Sequence, residues 1–124
     1  MPKLKPLIAI IDDDESMREA IKGLVRSLGY RVDAVGSAEE FLSSRLVHRT
    51  SCVIADMQMP GMTGLELYQR LWTAAKPVPT ILITAYPEDS VREHALSAGV
   101  VGYLTKPFEE DDLLACVRSA LTRP

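Results

Sequence analysis

Short apolar runs alternate with amphipathic stretches along the whole chain. The runs with strand character are Leu7–Ile11, Arg31–Val35, Cys52–Ala55, Thr80–Thr84 and Gly102–Thr105. Three of them, LIAII, CVIA and TILIT, are almost continuously apolar, which is typical of parallel strands covered on both faces. The pattern therefore predicts a parallel sheet with helices packed against both of its sides.

The stretches between the runs carry helix signals. The first predicted helix extends from about Ser16 to Leu28 and ends before Gly29. Capping boxes at Ser37–Glu40 and Thr63–Glu66 open the second and third helices. The apolar face of the first helix consists of Met17, Ala20, Ile21, Leu24, Val25 and Leu28.

Two further helices follow the fourth and fifth strands. The fourth is predicted from about Pro87 to Ala98, and the fifth begins within Glu109–Asp112, where the helix dipole favours acids. The inward positions of the fifth helix are Leu113, Leu114, Val117 and Leu121. Five strand–helix pairs joined by right-handed crossovers predict one α/β domain over residues 1–124, an open, doubly wound, flavodoxin-like sheet with strand order 2-1-3-4-5.

Composition narrows the class of protein. Apolar residues make up 47% of the chain, charged residues 25%, and the net charge is −3. That balance is ordinary for a soluble domain and argues against nucleic-acid binding by this chain, which would need a basic face. The run Leu7–Ile11 is too short for a signal peptide or a membrane span, so we expect a cytoplasmic protein. Cys52 and Cys116 lie in apolar stretches and are expected to be reduced.

Polar side chains follow four of the predicted strands. Asp12, Asp13 and Asp14 end the first strand, Asp56 the third, Thr84 the fourth, and Thr105-Lys106-Pro107 the fifth. The carboxyl ends of parallel strands share one edge of the sheet, where ligands of such folds bind. The sequence thus predicts a site of acids, a hydroxyl and an amine at that edge.

These residue types support phosphoryl transfer. Neighbouring carboxylates repel one another, and a hard divalent cation, most simply Mg²⁺, relieves the repulsion. A carboxylate can also attack phosphorus to give an aspartyl phosphate. A lysine and a metal would then neutralise the transferring oxygens, and a threonine hydroxyl could bond one of them.

Several segments resemble those of response-regulator receiver domains, over essentially the whole chain. The matching segments are Ile10–Asp13, Ala55–Gly64, Ile83–Ala85 and Gly102–Phe108. Their order and spacing make the resemblance specific. The segment Ser37–Leu42 is further similar to FixJ-type regulators.

The resemblance implies a role for each residue of the predicted site. Asp56 would be the phosphoacceptor. Asp13 and Asp56 would bind Mg²⁺ directly, Gln58 would supply its backbone carbonyl, and Asp12 would act through water. Lys106 would pair with the phosphoryl oxygens.

The resemblance also implies a switch and partners. Thr84 and Tyr103 would be the switch pair, and the Lys106–Pro107 peptide bond would be cis. A sensor histidine kinase would supply the phosphoryl group, and the face formed by the fourth helix, fifth strand and fifth helix would form a phosphorylation-dependent homodimer. Such a domain is no turnover enzyme. FixJ-type receivers usually precede a DNA-binding domain that regulates transcription, so this chain would be either a separated or a stand-alone receiver.

Two residues flank the path of a water that would hydrolyse the aspartyl phosphate. The resemblance places Gln58 and Tyr86 there. The Gln58 amide could orient that water, whereas the Tyr86 ring could exclude it, and we expect exclusion to outweigh orientation because a water that cannot enter cannot be oriented. In the alternative, Tyr86 points to solvent at the start of the fourth helix.

Other residues carry ordinary structural interpretations. Asp14 is expected to be a helix N-cap rather than a metal ligand. Trp72 is expected to be partly buried in packing. His48 and His94 are expected at the surface.

Two other functions compete with this interpretation. Ile8–Asp14 also fits the opening of haloacid-dehalogenase-like phosphatases, with Asp12 as nucleophile and Asp14 as general acid. That hypothesis leaves Asp56 unexplained and generally needs a longer chain. A receiver fold that no longer takes phosphate is the second alternative, although such domains normally lack an acid or the lysine that this sequence retains.

Overall fold

A computed structural model describes residues 5–122, in which strands and helices alternate. The strands are β1 (Leu7–Ile11), β2 (Arg31–Val35), β3 (Cys52–Asp56), β4 (Thr80–Thr84) and β5 (Gly102–Thr105). The helices are α1 (Glu15–Ser27), α2 (Ala38–Ser43), α3 (Gly64–Thr73), α4 (Asp89–Ala98) and α5 (Glu110–Thr122), and a short 3₁₀ helix spans Arg45–His48.

All five strands are parallel and lie in the order β2-β1-β3-β4-β5. This arrangement confirms the predicted flavodoxin-like fold. Every residue of β1, β3 and β4 is buried, which explains why the sequences of these three strands are almost continuously apolar. The edge strands β2 and β5 are more exposed and less apolar.

Alternate residues of each inner strand enter two separate cores, as the strand period of two requires. One core packs Ala9, Ile11, Val53, Ala55 and Leu82 against α2, α3 and α4. The other packs Ile8, Ile10, Cys52, Ile54, Ile81 and Ile83 against α1 and α5. The sheet is thus covered on both faces, and its polar strand ends remain at the edge.

Two helix starts form as the sequence predicts. Asp14 caps α1, where its Oδ1 accepts hydrogen bonds from the backbone N–H groups of Ser16 (2.9 Å) and Met17 (3.3 Å). Thr63 and Glu66 complete the reciprocal capping box of α3. Asp14 is therefore the expected N-cap.

The predicted capping box of α2 is only half formed. The Ser37 hydroxyl accepts a hydrogen bond from the Glu40 N–H (3.0 Å). Within residues 5–122 the reciprocal bond, in which the Ser37 N–H would donate to the Glu40 carboxylate, is not made. The motif located the start of the helix correctly but overstated its hydrogen bonding.

Some packing predictions were wrong. Trp72 exposes 56% of its surface and meets Tyr68 only edge to face, with ring centroids 6.4 Å apart. Ala20, placed on the inward face of α1, is exposed. Helix α4 begins at Asp89, two residues later than expected, and its N-cap Glu88 makes no side-chain capping bond.

Both cysteines are free, in agreement with the expectation of reduced thiols. Cys52 is buried in β3, and burial raises the pKa of its thiol to about 12. Burial also raises the pKa of Cys116, which is half-buried on α5. These thiols have little thiolate character at neutral pH.

Among residues 5–122, no helix combines the length and the apolar character that a membrane crossing needs.

Candidate functional site

Three carboxylates meet at the carboxyl edge of the sheet. Asp12 and Asp13 follow β1, Asp56 ends β3, and one oxygen of each lies within 4.8 Å of the others. The pairing of Ile11 with Ala55 in the adjacent strands brings Asp12 beside Asp56. Asp12 and Asp56 are buried, whereas Asp13 is exposed, so the cluster opens to solvent on one side.

Lys106 reaches this cluster from the far edge strand. It follows β5, and its Nζ donates a hydrogen bond to Asp56 Oδ2 at 2.7 Å. The same Nζ lies 3.6 Å from Asp12 Oδ2. The peptide bond between Lys106 and Pro107 is cis. In the part of the chain that is described, Lys106 makes every ion pair.

The charges of the cluster are unbalanced, because three carboxylates face one ammonium group. Burial raises the pKa of Asp12, and the nearby Asp56 and Asp13 carboxylates add to the effect, against the opposing Asp14 N–H and Lys106. Burial alone would lower the pKa of Lys106, but its hydrogen bond to Asp56 and the acidic charges raise it. The amine therefore stays protonated, and the acids retain unrelieved repulsion.

The donor set fits a small hard cation. All three side chains offer carboxylate oxygen, which Mg²⁺ prefers over nitrogen or sulfur. Two of the acids are held in place by backbone donors: Asp14 N–H bonds Asp12 Oδ1, and Gln58 N–H bonds Asp56 Oδ1, each at 2.9 Å. The third, Asp13, is exposed and leaves room for water ligands.

Gln58 makes a contact that sequence reasoning missed. Its side-chain oxygen Oε1 accepts hydrogen bonds from the Thr84 hydroxyl at 2.9 Å and from the Ala85 N–H at 3.2 Å. Thr84 is fully buried and in turn accepts a bond from the Tyr86 N–H at 3.0 Å. We call this pair of bonds to Gln58 Oε1 the Gln58 bridge. No local signal predicts it, because it joins the β3–α3 loop to the end of β4.

The two tyrosines assigned to the switch and to hydrolysis lie in different surroundings. Tyr103, in β5, is half-buried and packs against the core on the side of α2, α3 and α4. Tyr86 exposes 72% of its surface. That exposure favours the alternative in which the Tyr86 ring points to solvent over the one in which it covers the site.

Arg18 is a second residue near the site that sequence reasoning missed. Its Nη1 donates a hydrogen bond to the backbone carbonyl of Asp12 at 2.8 Å. The contact ties helix α1 to the loop that carries two of the acids. His48 and His94 are exposed and lie away from the strand ends, as expected; the His48 ring contacts the Lys76 amine at 2.6 Å.

A doubly wound five-stranded sheet, with acids and an amine at its carboxyl edge, is the arrangement expected of a receiver domain. The family model described as the response regulator receiver domain matches residues 8–118, and the chain belongs to this family. The haloacid-dehalogenase-like hypothesis is therefore set aside. Its proposed general acid, Asp14, is occupied in capping α1.

Particular relatives agree with the family. The chain is 38% identical over 115 residues to the response regulator protein TmoT of Ectopseudomonas mendocina, covering 93% of this chain and 52% of the relative. It is 35% identical over 114 residues to the transcriptional regulatory protein FixJ of Bradyrhizobium diazoefficiens, covering 92% and 56%. The chain spans about half the length of the curated relatives it matches.

The solved structures include a FixJ receiver. The crystal structure of FixJ-N superposes with a TM-score of 0.87 at 28% identity, covering 100% of this chain and 98% of that one. The chain is thus a receiver domain of the two-component response regulators, with FixJ among its relatives, as the sequence predicted.

Proposed function

We propose that Asp56 accepts a phosphoryl group from a sensor histidine kinase, with Mg²⁺ bound beside it. The observation that carries the proposal is the 2.7 Å contact between Lys106 Nζ and the Asp56 carboxylate, within a cluster of two further acids. A buried carboxylate held by hydrogen bonds beside a cation is arranged as a nucleophile, and the Lys106 ammonium can offset part of the negative charge of the product.

Asp56 supplies the electron pair for the transfer. One carboxylate oxygen forms a bond to phosphorus while the bond from phosphorus to the donor breaks, and the donor leaves with that electron pair. Lys106 donates hydrogen bonds to the transferring oxygens and balances their charge. No proton has to leave Asp56, because its carboxylate reacts in the ionised form.

Four residues would hold the ion. Asp13 and Asp56 would bind Mg²⁺ directly, the Gln58 backbone carbonyl would complete the protein ligands, and Asp12 would act through water. When bound, the ion neutralises negative charge on the phosphoryl oxygens. The same charge would offset the burial and the repulsion by Asp56 and Asp13 that raise the pKa of Asp12.

The phosphorylated state would be read out by Thr84 and Tyr103. In the proposed switch the Thr84 hydroxyl moves to a phosphoryl oxygen, and the half-buried Tyr103 ring turns further inward. The change alters the face formed by α4, β5 and α5, where a second copy docks. We infer that this dimer acts in the cytoplasm through a transcription-regulating output domain, consistent with relatives about twice this length. The chain itself performs no turnover catalysis on a separate substrate.

Intact-mass spectrometry with acetyl phosphate tests the proposal. Wild-type chain should gain one phosphoryl group with Mg²⁺ and none with EDTA. Asp56→Asn should lose the uptake. Asp33→Asn, at an exposed aspartate on β2, is the matched control and should react as wild type. Uptake by Asp56→Asn at the wild-type rate would show that another residue is the acceptor and would refute the assignment.

A further inference from the structure

We propose that the Gln58 side chain gates phosphorylation of the site. It occupies the hydrogen-bond donors that a phosphoryl group on Asp56 would need. The inference rests on the proposed function, since it concerns the same acceptor. It adds a positioning residue whose amide holds the resting state and is displaced in the phosphorylated one.

Hydrogen-bond chemistry fixes how the amide is oriented. The Ala85 N–H can only donate, so the atom 3.2 Å from it must be the carbonyl oxygen of Gln58. The Thr84 hydroxyl accepts from the Tyr86 N–H, which leaves its own hydrogen to be donated to the same oxygen. The Ala85 contact requires Oε1 rather than Nε2 at this position, and the Thr84 hydroxyl then donates its hydrogen to that oxygen. One amide oxygen therefore satisfies two donors from the end of β4.

Other hydrogen-bond donors next to Asp56 are already occupied. The Gln58 N–H is bonded to Asp56 Oδ1, and the Met57 N–H is bonded to the Ile83 carbonyl at 2.8 Å. Lys106 is the only cation paired with the acids among residues 5–122. The Thr84 hydroxyl and the Ala85 N–H lie at the end of β4 on the same edge, and both are bonded to Gln58.

A phosphoryl group brings three strongly accepting oxygens into this space. An ionised oxygen makes stronger hydrogen bonds with a hydroxyl or an N–H than a neutral amide oxygen does. The phosphoryl group therefore displaces Gln58 Oε1, and the exposed Gln58 side chain moves into solvent. The free energy needed to break the Gln58 bridge opposes phosphorylation. The bridge therefore raises the concentration of phosphoryl donor at which the domain switches.

The first experiment tests the bridge in the resting protein. Gln58→Met keeps an unbranched side chain of similar length but removes the amide oxygen. Amide hydrogen exchange by NMR, without any phosphoryl donor, should be about fivefold faster at Ala85 in this variant than in wild type. Gln69→Met, at the other glutamine of the chain and exposed on α3, is the control and should leave the Ala85 rate unchanged. An equal Ala85 rate in Gln58→Met and wild type overturns the bridge.

The second experiment tests displacement, with beryllofluoride as the phosphoryl mimic and Mg²⁺ present. Half-saturation of Gln58→Met, followed by NMR, should occur at about one-fifth of the wild-type concentration. In a Thr84→Ala background the same substitution should have a smaller effect, because one of the two donors in competition is gone. If Gln58 had only a structural role, Gln58→Met would shift the half-saturating beryllofluoride concentration equally in the wild-type and Thr84→Ala backgrounds.

The outcomes separate the two proposals. Unchanged or weaker beryllofluoride binding by Gln58→Met overturns the gate while leaving Asp56 as acceptor. Failure of the wild-type chain to take up either beryllofluoride or acetyl phosphate overturns the proposed function and the gate with it. The Ala85 exchange rate still reports in that case whether the bridge exists.

Discussion

Asp12 is buried beside two other carboxylates, and its surroundings oppose its ionisation. Burial and the neighbouring acids raise its pKa above the ordinary value of 3.8. Between that value and the raised pKa, the folded state binds more protons than the unfolded state does. The free energy of unfolding therefore falls as the pH rises through this interval, and the cost is fully present at pH values above the raised pKa.

We predict that Asp12→Asn stabilises the metal-free domain at pH 7 by on the order of 1 kcal/mol, because an amide removes the repelling charge and keeps an oxygen for the Asp14 N–H. Urea unfolding in EDTA measures the difference. The advantage should shrink as the pH falls through the raised pKa and should be lost below 3.8, where wild-type Asp12 is protonated in both states.

The control for this prediction is Asp33→Asn, at an exposed position, which should change stability by less than about 0.5 kcal/mol. Added Mg²⁺ should stabilise the wild type more than Asp12→Asn. Destabilisation by Asp12→Asn at pH 7 would mean that the lost attraction to Lys106, 3.6 Å away, outweighs the relief of repulsion.

Single residues also show where sequence reasoning stops. Asp12, Asp13, Asp56 and Lys106 could be predicted to meet, because each follows a strand and parallel strands end at one edge. The Gln58 bridge could not be predicted, since it depends on how two loops from different strands approach each other. The exposure of Trp72 and Tyr86 could not be predicted either. Whether an aromatic residue near a helix end is buried or exposed depends on its tertiary neighbours.

At the scale of elements, helix α3 begins directly against the site. A Cβ added at Gly64, the first residue of α3, would lie 2.7 Å from the Asp56 backbone oxygen and 2.9 Å from Leu82 Cδ2. Glycine is required there by close approach of the backbone rather than by its dihedral angles. The start of α3 and the position of Asp56, the proposed phosphoacceptor, are thus coupled through one packing contact.

We predict opposite effects for two glycine-to-alanine substitutions. Gly64→Ala should destabilise the domain by about 1–3 kcal/mol and slow phosphoryl uptake, because the clash displaces Asp56 or the helix start. Gly23→Ala, in an open position within α1, should stabilise it by about 0.5–1 kcal/mol. Urea unfolding and the uptake rate measure both. Equal stability changes for the two variants would contradict the packing argument.

The bounds of an element were predictable where its burial requires a distinctive run of apolar residues. Strands β1, β3 and β4 are buried on both faces, so their apolar runs marked them to within one residue. The start of α4 was placed too early because Glu88 caps it without a side-chain bond, which leaves no cap motif to read. The 3₁₀ helix at Arg45–His48 is too short to show a periodic pattern.

For the whole molecule, the proposed homodimer offers a direct test of the α4–β5–α5 face. Leu96 is an exposed apolar residue of α4, with 37% of its surface accessible. We predict that beryllofluoride and Mg²⁺ convert the wild-type chain to a dimer at micromolar concentration. Leu96→Glu should weaken the dimer at least about tenfold, because a charge would be buried in the interface.

Light scattering coupled to size exclusion measures the mass in each case. Trp72→Glu is the matched control, since Trp72 is also exposed and apolar but lies on α3, away from the proposed face. It should dimerise as wild type does. An identical mass with and without beryllofluoride would exclude the homodimer, and loss of the dimer in Trp72→Glu alone would place the interface on α3.

Lys106 lies far along the chain from the acids that it balances. It follows the last strand of the sheet, 50 residues after Asp56. During synthesis on the ribosome, the three acids therefore emerge well before the amine that offsets them. A nascent chain that ends before β5 would hold the carboxylates without their counter-ion. Under the proposed function, the site would become competent only after translation has passed Lys106, and only a domain synthesised beyond β5 would accept a phosphoryl group.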